Sequence, residues 1–214
     1  MTALLDGIGC WAWTGSRRFD GRPALFLDRD GVIVEETHYL GRPGDVALIP
    51  AAAEAIAAFN RAGVPVVVVT NQSGVGRGYF SWSDFEAVQA DIDRRLADSG
   101  AHVDAAFACA FHEKGLGDFA VADHPWRKPA AGMLHEAATR LGVRLDRSFI
   151  IGDKAADLAA GKAAGLAGGL HVSTGHGDET ERTEARALQA PGFEVMMGAD
   201  IGAARAYLAR LAGA

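Results

Sequence analysis

Asp28 and Asp30 stand two residues apart at the expected end of a short apolar segment, residues 24–27. That segment predicts a buried strand, and Gly31 predicts a break directly after it. In open α/β sheets, ligands bind beyond the carboxyl ends of the strands. One carboxylate there could act as a nucleophile while its neighbour serves as acid and base, with a metal ion screening their repulsion. A solvated Asp-Arg-Asp turn is the alternative interpretation of the same residues.

Three other expected strand ends carry groups suited to phosphoryl transfer. Residues 70–74, Thr-Asn-Gln-Ser-Gly, offer hydroxyl, amide and backbone N–H donors. Lys128 stands just before an expected helix, beside the positive end of its dipole. Asp153 follows a strand, and Asp157 lies one helical turn beyond it. Each feature alone could be a helix cap or a surface side chain, but together at one sheet edge they favour a phosphoryl-transfer site.

The elements that must position these residues alternate between β-rich and alanine-rich segments, which predicts a mostly parallel sheet. The expected strands are 24–27, 64–70, 105–110, 148–151, 168–172 and 194–196, with a small flap at 46–49. The expected helices are 51–62, 83–97, 129–141, 155–164 and 201–211. We expect Ser83 and Glu86 to form a capping box. Residues 175–190 are interpreted as a mobile loop or weak helix, and residues 11–22 fit no regular period.

Composition places the chain among ordinary globular proteins. Its 214 residues are 49% hydrophobic and 22% charged, with a formal net charge of −6. No strongly basic stretch is present, which argues against nucleic acid as a partner. Two cysteines are too few for a disulfide scaffold and indicate a reducing compartment. Without a membrane-length apolar run or a signal peptide at its start, the chain is expected to be cytoplasmic and not membrane-bound. The oligomeric state cannot be inferred from the sequence.

The motifs at the four strand ends resemble those of the haloacid dehalogenase superfamily of phosphotransferases. More narrowly, they resemble the heptose bisphosphate and histidinol phosphate phosphatases. This likeness is carried by residues 26–31 (FLDRDG), 70–78 (TNQSGVGRG), 127–129 (RKP) and 151–154 (IGDK). It implies an α/β fold, a Rossmann-like three-layer sandwich with a mostly parallel central sheet. The likeness begins near residue 24, so we expect an N-terminal extension, residues 1–22, before a phosphatase domain at residues 23–214.

The resemblance also implies a role for each motif residue. Asp28 would form an aspartyl-phosphate, and Asp30 would be the acid and then the base. The implied phosphate-binding residues are Thr70, Asn71 and Lys128. The implied Mg²⁺ ligands are Asp28, Asp153 and the backbone carbonyl of Asp30, with Asp157 supporting them. Oxygen ligands of this kind are those that Mg²⁺ prefers.

Superfamily members often insert a large cap domain between these motifs. Here the segments between Asp30 and Thr70 and between Thr70 and Lys128 are too short for one, because the expected helices and strands occupy them. The site should therefore be open, with short loops setting specificity. Arg77 and Arg127 are the candidates for contacting the rest of the substrate.

A zinc loop precedes the lysine in the heptose and histidinol phosphatases, with Cys-x-His followed by Cys-x-Cys. In this chain Phe111 replaces the histidine, and His124 and Trp126 replace the cysteine pair. A degenerate tetrahedral site could still form from Cys109, His112, Asp123 and His124. Because only one thiolate remains and the spacing is altered, structural zinc is not expected.

These features predict a Mg²⁺-dependent phosphomonoesterase of a small phosphorylated metabolite. A sugar phosphate or bisphosphate, such as D-glycero-D-manno-heptose bisphosphate, is the leading substrate. Histidinol phosphate or another phosphometabolite is the alternative within this class. A catalytically degenerate module that binds phosphometabolites or a partner is the alternative of another class.

Overall fold

A computed structural model describes residues 2–213, and one eight-stranded sheet runs through its centre. In chain order the strands are β1 (Thr2–Leu4), β2 (Cys10–Thr14), β3 (Leu25–Leu27), β4 (Val66–Asn71), β5 (Ala105–Cys109), β6 (Phe149–Gly152), β7 (Gly168–Val172) and β8 (Glu194–Gly198). Their order across the sheet is β1-β2-β5-β4-β3-β6-β7-β8. Six neighbouring strands pair in parallel, namely β5, β4, β3, β6, β7 and β8. Strands β1 and β2 pair antiparallel at one side of the sheet. The expected fold class is confirmed.

Helices cover both faces of this sheet. They are α1 (Ala52–Arg61), α2 (Ser73–Gly76), α3 (Trp82–Asp98), α4 (Gly132–Leu141), α5 (Ala155–Ala163), α6 (Glu179–Ala187) and α7 (Leu208–Ala212). Side chains of β3 alternate between the two faces, so that Leu25 and Leu27 join the core under α1 and α3. Phe26 joins the opposite core, under α4, α5 and α6. None of the helices in the described part of the chain is long and apolar enough to cross a membrane.

The central strands end together at one edge. Residues 66–69 of β4 are all valine and all buried, as expected of a strand covered on both faces. In the parallel register, Leu27 lies opposite Val68 on one side and Ile151 on the other. The residues that follow these strands therefore emerge side by side, as the sequence analysis expected.

The interpretation of residues 11–22 as lacking a regular period was wrong for their first part. Strand β2 pairs with β5, placing Cys10 and Ala12 in one core and Trp11 and Trp13 against the other. This is ordinary strand alternation in which residues 10–13 are all apolar, so no polar face reveals it. Although β1 and β2 belong to the central sheet, the domain division at residue 22 stays a prediction.

Several expected boundaries also moved. Helix α3 begins after Ser81, which forms the capping box with Asp84 in place of the expected Ser83 and Glu86. Residues 175–190 contain α6, whose cap is Asp178. The expected closing helix is 3-10 over Ile201–Tyr207 before α7 begins. The expected helix at 129 starts at Gly132, and the flap at 46–49 is only a bridge between Leu48 and Val34.

Candidate active site

The chain leaves β3 into a tight turn that carries the first motif. The backbone N–H of Asp28 still donates to the carbonyl of Ile151 at 2.9 Å, so its carboxylate is fixed at the sheet edge. Gly31 follows with φ +80°, a conformation that favours glycine. A Cβ at Gly31 would lie 2.4 Å from Oδ2 of Asp153. The turn thus packs directly against the carboxylate that ends β6.

Lys128 lies at the centre of the buried charges. Its Nζ is 3.0 Å from Oδ1 of Asp28, 2.5 Å from Oδ1 of Asp157 and 2.8 Å from the carbonyl of Val69. Burial alone would lower the pKa of Lys128, but the two carboxylates raise it above its ordinary value. The lysine is therefore held as a cation beside the expected nucleophile.

Asn71 holds the backbone of Lys128 in place. Its side-chain amide donates to the carbonyl of Lys128 at 3.0 Å, and its side-chain carbonyl accepts from the backbone N–H at 3.1 Å. Both ends of the Asn71 side chain are thus engaged with protein. The contact indicates that Asn71 positions Lys128 through its backbone.

Three buried carboxylates, those of Asp28, Asp153 and Asp157, each have an oxygen within 4.8 Å of the others. Burial, followed by the charges of its two neighbours, raises the pKa of Asp153 to about 8. Its Oδ2 accepts from the backbone N–H of His176 at 2.7 Å, whereas its buried Oδ1 has no hydrogen-bond partner. An unpartnered carboxylate oxygen among like charges fits a divalent cation with oxygen ligands.

Asp157 has a different main contact from the one expected. Asp157 was expected to support the metal ligands. Its Oδ1 instead pairs with Lys128, and its Oδ2 accepts from the backbone N–H of Lys154 at 3.0 Å. Burial raises the pKa of Asp157, and the Lys128 ammonium opposes that effect. Asp28 and Asp153 therefore remain the carboxylates best suited to a metal ion.

A hydrogen-bond network that the sequence analysis missed surrounds Asp30. Arg29 donates to both oxygens of Asp30 through Nε and Nη2, at 3.0–3.2 Å. Gln72 donates from Nε2 to Asp30 at 2.8 Å and to the hydroxyl of Thr70 at 2.9 Å. Its Oε1 accepts from Arg29 at 3.2 Å. Both Arg29 and Gln72 are almost wholly buried, and no sequence signal beyond their place in the motifs identified these contacts.

An open cavity of about 200 Å³ adjoins Asp30. Its lining includes Gln72 and four other polar residues, Glu36, His38, Lys154 and His176. The last four come from the loop after the first motif and from the chain following β6 and β7. No large cap covers them in the described residues, as expected from the short segments between the motifs.

The two arginines expected to bind substrate lie outside the cavity lining. Arg77 donates to the hydroxyl of Tyr39 and stacks over the rings of Tyr39 and Tyr79 at 5.5 and 4.8 Å. Because Tyr39 lines the cavity, Arg77 supports its rim. Arg127 donates to the carbonyl of Phe111 at 3.0 Å and braces the loop before Lys128. The structure therefore does not bring Arg127 to the cavity.

The degenerate zinc loop does not assemble among the described residues. Cys109, His112 and Asp123 do not gather around His124, which stacks on Phe111 with ring centroids 3.9 Å apart. His124 instead lies within 4.8 Å of Asp6 and Cys10. There, Nδ1 of His124 accepts from the N–H of Trp126, and Oδ1 of Asp6 accepts three backbone N–H groups of its own turn. Protein contacts thus already occupy this group of side chains.

Comparison with known proteins agrees with this geometry. A relative from Mesorhizobium japonicum named D-glycero-beta-D-manno-heptose-1,7-bisphosphate 7-phosphatase is 56% identical over 150 residues, which cover 70% of this chain and 69% of the relative. A family model described as "HAD-hyrolase-like" matches residues 125–195. The chain belongs to the haloacid dehalogenase-like phosphatases. It is therefore a hydrolase of phosphate monoesters, in a family whose catalysis depends on Mg²⁺.

Solved structures of other haloacid dehalogenase-like phosphatases share the whole fold. A crystal structure of a HAD-like phosphatase from Mesorhizobium loti covers 96% of this chain, and the match spans 94% of that protein. Its TM-score is 0.84 at 45% identity. The D,D-heptose 1,7-bisphosphate phosphatase from B. bronchiseptica, complexed with magnesium and phosphate, has a TM-score of 0.73 at 33% identity. That match covers 87% of this chain and 97% of the other protein.

Proposed function

We propose that this phosphatase removes the 7-phosphate of a heptose 1,7-bisphosphate through an aspartyl-phosphate on Asp28. The observation that carries the reaction type is the Lys128 ammonium, 3.0 Å from the Asp28 carboxylate at the sheet edge where the other motifs end. The names of the relatives support the substrate. The open cavity beside Asp30 offers room for a sugar.

In the first step, a carboxylate oxygen of Asp28 attacks phosphorus and the bond from phosphorus to the sugar oxygen breaks. Asp30 donates a proton to the departing alkoxide. Lys128 neutralises charge on the phosphoryl oxygens, and Asn71 keeps that lysine in position. The hydroxyl of Thr70 accepts a hydrogen bond from Gln72 at 2.9 Å, and Gln72 also donates to Asp30.

In the second step, water attacks phosphorus and gives its proton to Asp30. The bond between phosphorus and the Asp28 oxygen breaks, which releases inorganic phosphate, restores the Asp28 carboxylate and leaves Asp30 protonated for the next turnover. Asp28, Asp153 and the backbone carbonyl of Asp30 would hold a Mg²⁺ ion, which supplies positive charge for the transferring group. The unpartnered Oδ1 of Asp153 supports that ligand set.

Phosphate release tests this proposal directly. We would compare heptose 1,7-bisphosphate, fructose 1,6-bisphosphate and histidinol phosphate, each with Mg²⁺ and with a chelator, for wild type and Asp28→Asn. Metal-dependent turnover that is fastest on the heptose ester and disappears in Asp28→Asn is expected. Turnover that survives in Asp28→Asn would refute the nucleophile, and faster hydrolysis of histidinol phosphate would refute the substrate.

The remaining expectations about partners follow from the same proposal. The substrate is a small phosphorylated sugar, no structural zinc is required, and neither nucleic acid nor membrane takes part. A cytoplasmic location stays a prediction. It would be checked by fractionating cells that express the protein at its natural level.

A further inference from the structure

A second group of polar side chains lines the cavity, apart from the residues that would act on the scissile phosphate. It comprises His38, Lys154 and His176, with Glu36 between the two histidines. We call His38, Lys154 and His176 the distal cluster. Nothing in the two reaction steps above uses these side chains.

The backbone that presents His38 to the cavity is held in an unfavourable conformation. His38 and Tyr39 are consecutive non-glycine residues with φ of +48° and +69°, in the left-handed region. Non-glycine residues adopt it at a cost, and such residues concentrate where function requires a particular presentation. Glu36 fixes the segment by accepting the backbone N–H of His38 at 2.9 Å. Both strained residues line the cavity.

His176 reaches the same cavity from the loop after β7. Its backbone N–H donates to Asp153, and the neighbouring Thr174 hydroxyl donates to the carbonyl of Gly31 at 2.5 Å. These bonds fix the loop to the turn carrying the first motif. The His176 side chain lies 3.5 Å from Glu36, and its ring centroid is 6.4 Å from that of His38. Two imidazoles from distant parts of the chain thus share one end of the cavity.

Lys154 lines the cavity without forming a direct ion pair, although its charge also acts on the adjacent Asp153. Arg29 is paired with Asp30, and Lys128 is paired with Asp28 and Asp157. Lys154 forms no ion pair with any residue in the range 2–213. A half-buried lysine that lines the same cavity as two histidines complements an anion rather than a neutral hydroxyl group.

We propose that His38, Lys154 and His176 bind the second, uncleaved phosphate of a bisphosphorylated sugar. Glu36 orients the two imidazoles by holding the backbone of His38 and facing the side chain of His176. This inference rests on the proposed function and extends it: the enzyme selects bisphosphates over monophosphates by their distal charge. The sugar spans the distance between the distal cluster and Asp30.

The test is the ratio of kcat/KM for a sugar bisphosphate to kcat/KM for the same sugar carrying only the scissile phosphate. Variants His38→Asn and His176→Asn each remove the Nε2 donor, because the asparagine amide is shorter than the imidazole, and Lys154→Met removes the ammonium. Asparagine also tolerates the left-handed backbone at position 38. The matched control is His135→Asn, which makes the same change on the exposed surface of α4. We expect each cluster variant to lower the ratio about tenfold, because hydrogen bonds to charged groups have this magnitude. We expect His135→Asn to leave it unchanged.

Product inhibition gives a second, independent measurement. The sugar monophosphate product keeps the distal phosphate, so its inhibition constant should rise about tenfold in each cluster variant. The inhibition constant of inorganic phosphate, which binds at the reacting site, should move far less. Equal losses for both inhibitors, or equal losses for both substrates, would mean that the variants act through general damage and would overturn the inference.

The two proposals fail in different ways. A wild-type enzyme that hydrolyses none of the esters would refute the proposed function itself. A wild-type enzyme that hydrolyses monophosphates and bisphosphates equally well would leave the phosphatase intact and refute the distal subsite.

Discussion

Gln72 offers the sharpest test of how Asp30 is positioned. Its Nε2 donates to Asp30 at 2.8 Å and to Thr70 at 2.9 Å, while Arg29 donates to its Oε1. Substitution Gln72→Met keeps the length of this buried side chain and removes all three contacts. Asp30 then loses one of the two side chains that hold it, while its own side chain stays in place.

The expected magnitude follows from the hydrogen bond that is lost. A hydrogen bond to a charged group contributes about 1.5–3 kcal/mol. If that energy is needed in the transition state, the rate falls about 10- to 160-fold. The loss should be larger for a sugar ester than for p-nitrophenyl phosphate, because an alkoxide leaving group requires the proton of Asp30 and p-nitrophenolate does not.

The assay compares kcat on both esters for Gln72→Met and for Gln89→Met. Gln89 is also buried and also donates to a carboxylate, that of Asp93 at 3.0 Å, but it lies on α3 outside the cavity lining. Both variants replace a buried amide with an apolar side chain of similar length, and only Gln72→Met should lose activity in the manner described. Equal losses on the two esters, or equal losses in the two variants, would refute the positioning role.

Four other substitutions or conditions have defined outcomes. Lys128→Met leaves buried carboxylates unpaired and should lower the free energy of unfolding by about 3–5 kcal/mol in urea titrations, whereas the exposed Lys162→Met should change it by less than about 0.5 kcal/mol. Because the pKa of Asp153 is about 8, Mg²⁺ binding must expel its proton below that pH. Calorimetry in the absence of substrate should then show an apparent affinity about tenfold weaker for each unit of pH lowered. Gly31→Ala places a Cβ against Asp153 and should abolish the thermal stabilisation by Mg²⁺ seen by scanning calorimetry. Trp11→Leu should lower both the melting temperature and kcat on a sugar ester.

The sheet edge could be predicted because its signals are local. A run of four valines marks β4, and polar residues directly after the apolar segments mark the strand ends. Parallel strands then bring Asp28 and Asp153 together without further information. Lys128 follows a long loop after β5, and Asn71 at the end of β4 holds its backbone there. The partner of Asp157 could not be predicted in the same way. Helical spacing places it near Asp153, but only the packed structure shows that Lys128 takes up its charge.

The contacts that the sequence does not reveal are of two kinds. Some join residues far apart in the chain, and others involve a residue type that is usually exposed at the surface. Arg29 lies between two catalytic candidates, and the three charged residues 28–30 are typical of a surface turn. Its side chain is nevertheless one of the most buried. Gln72 was expected only as a donor to phosphate. Its position two residues after Thr70 allows both side chains to meet, but the direction of its amide depends on Arg29 and Asp30.

Strand β2 gives the clearest case of a tertiary contact that no local pattern reveals. The Trp11 ring meets the Phe85 ring edge-on at 4.9 Å, and its Nε1 donates to Glu86 at 2.8 Å. The Phe85 ring also contacts Arg29, whose guanidinium lies 5.0 Å from the ring centre. Arg29 in turn holds both oxygens of Asp30. Strand β2 therefore supports Asp30, the side chain expected to move the proton, through the Phe85 ring and Arg29.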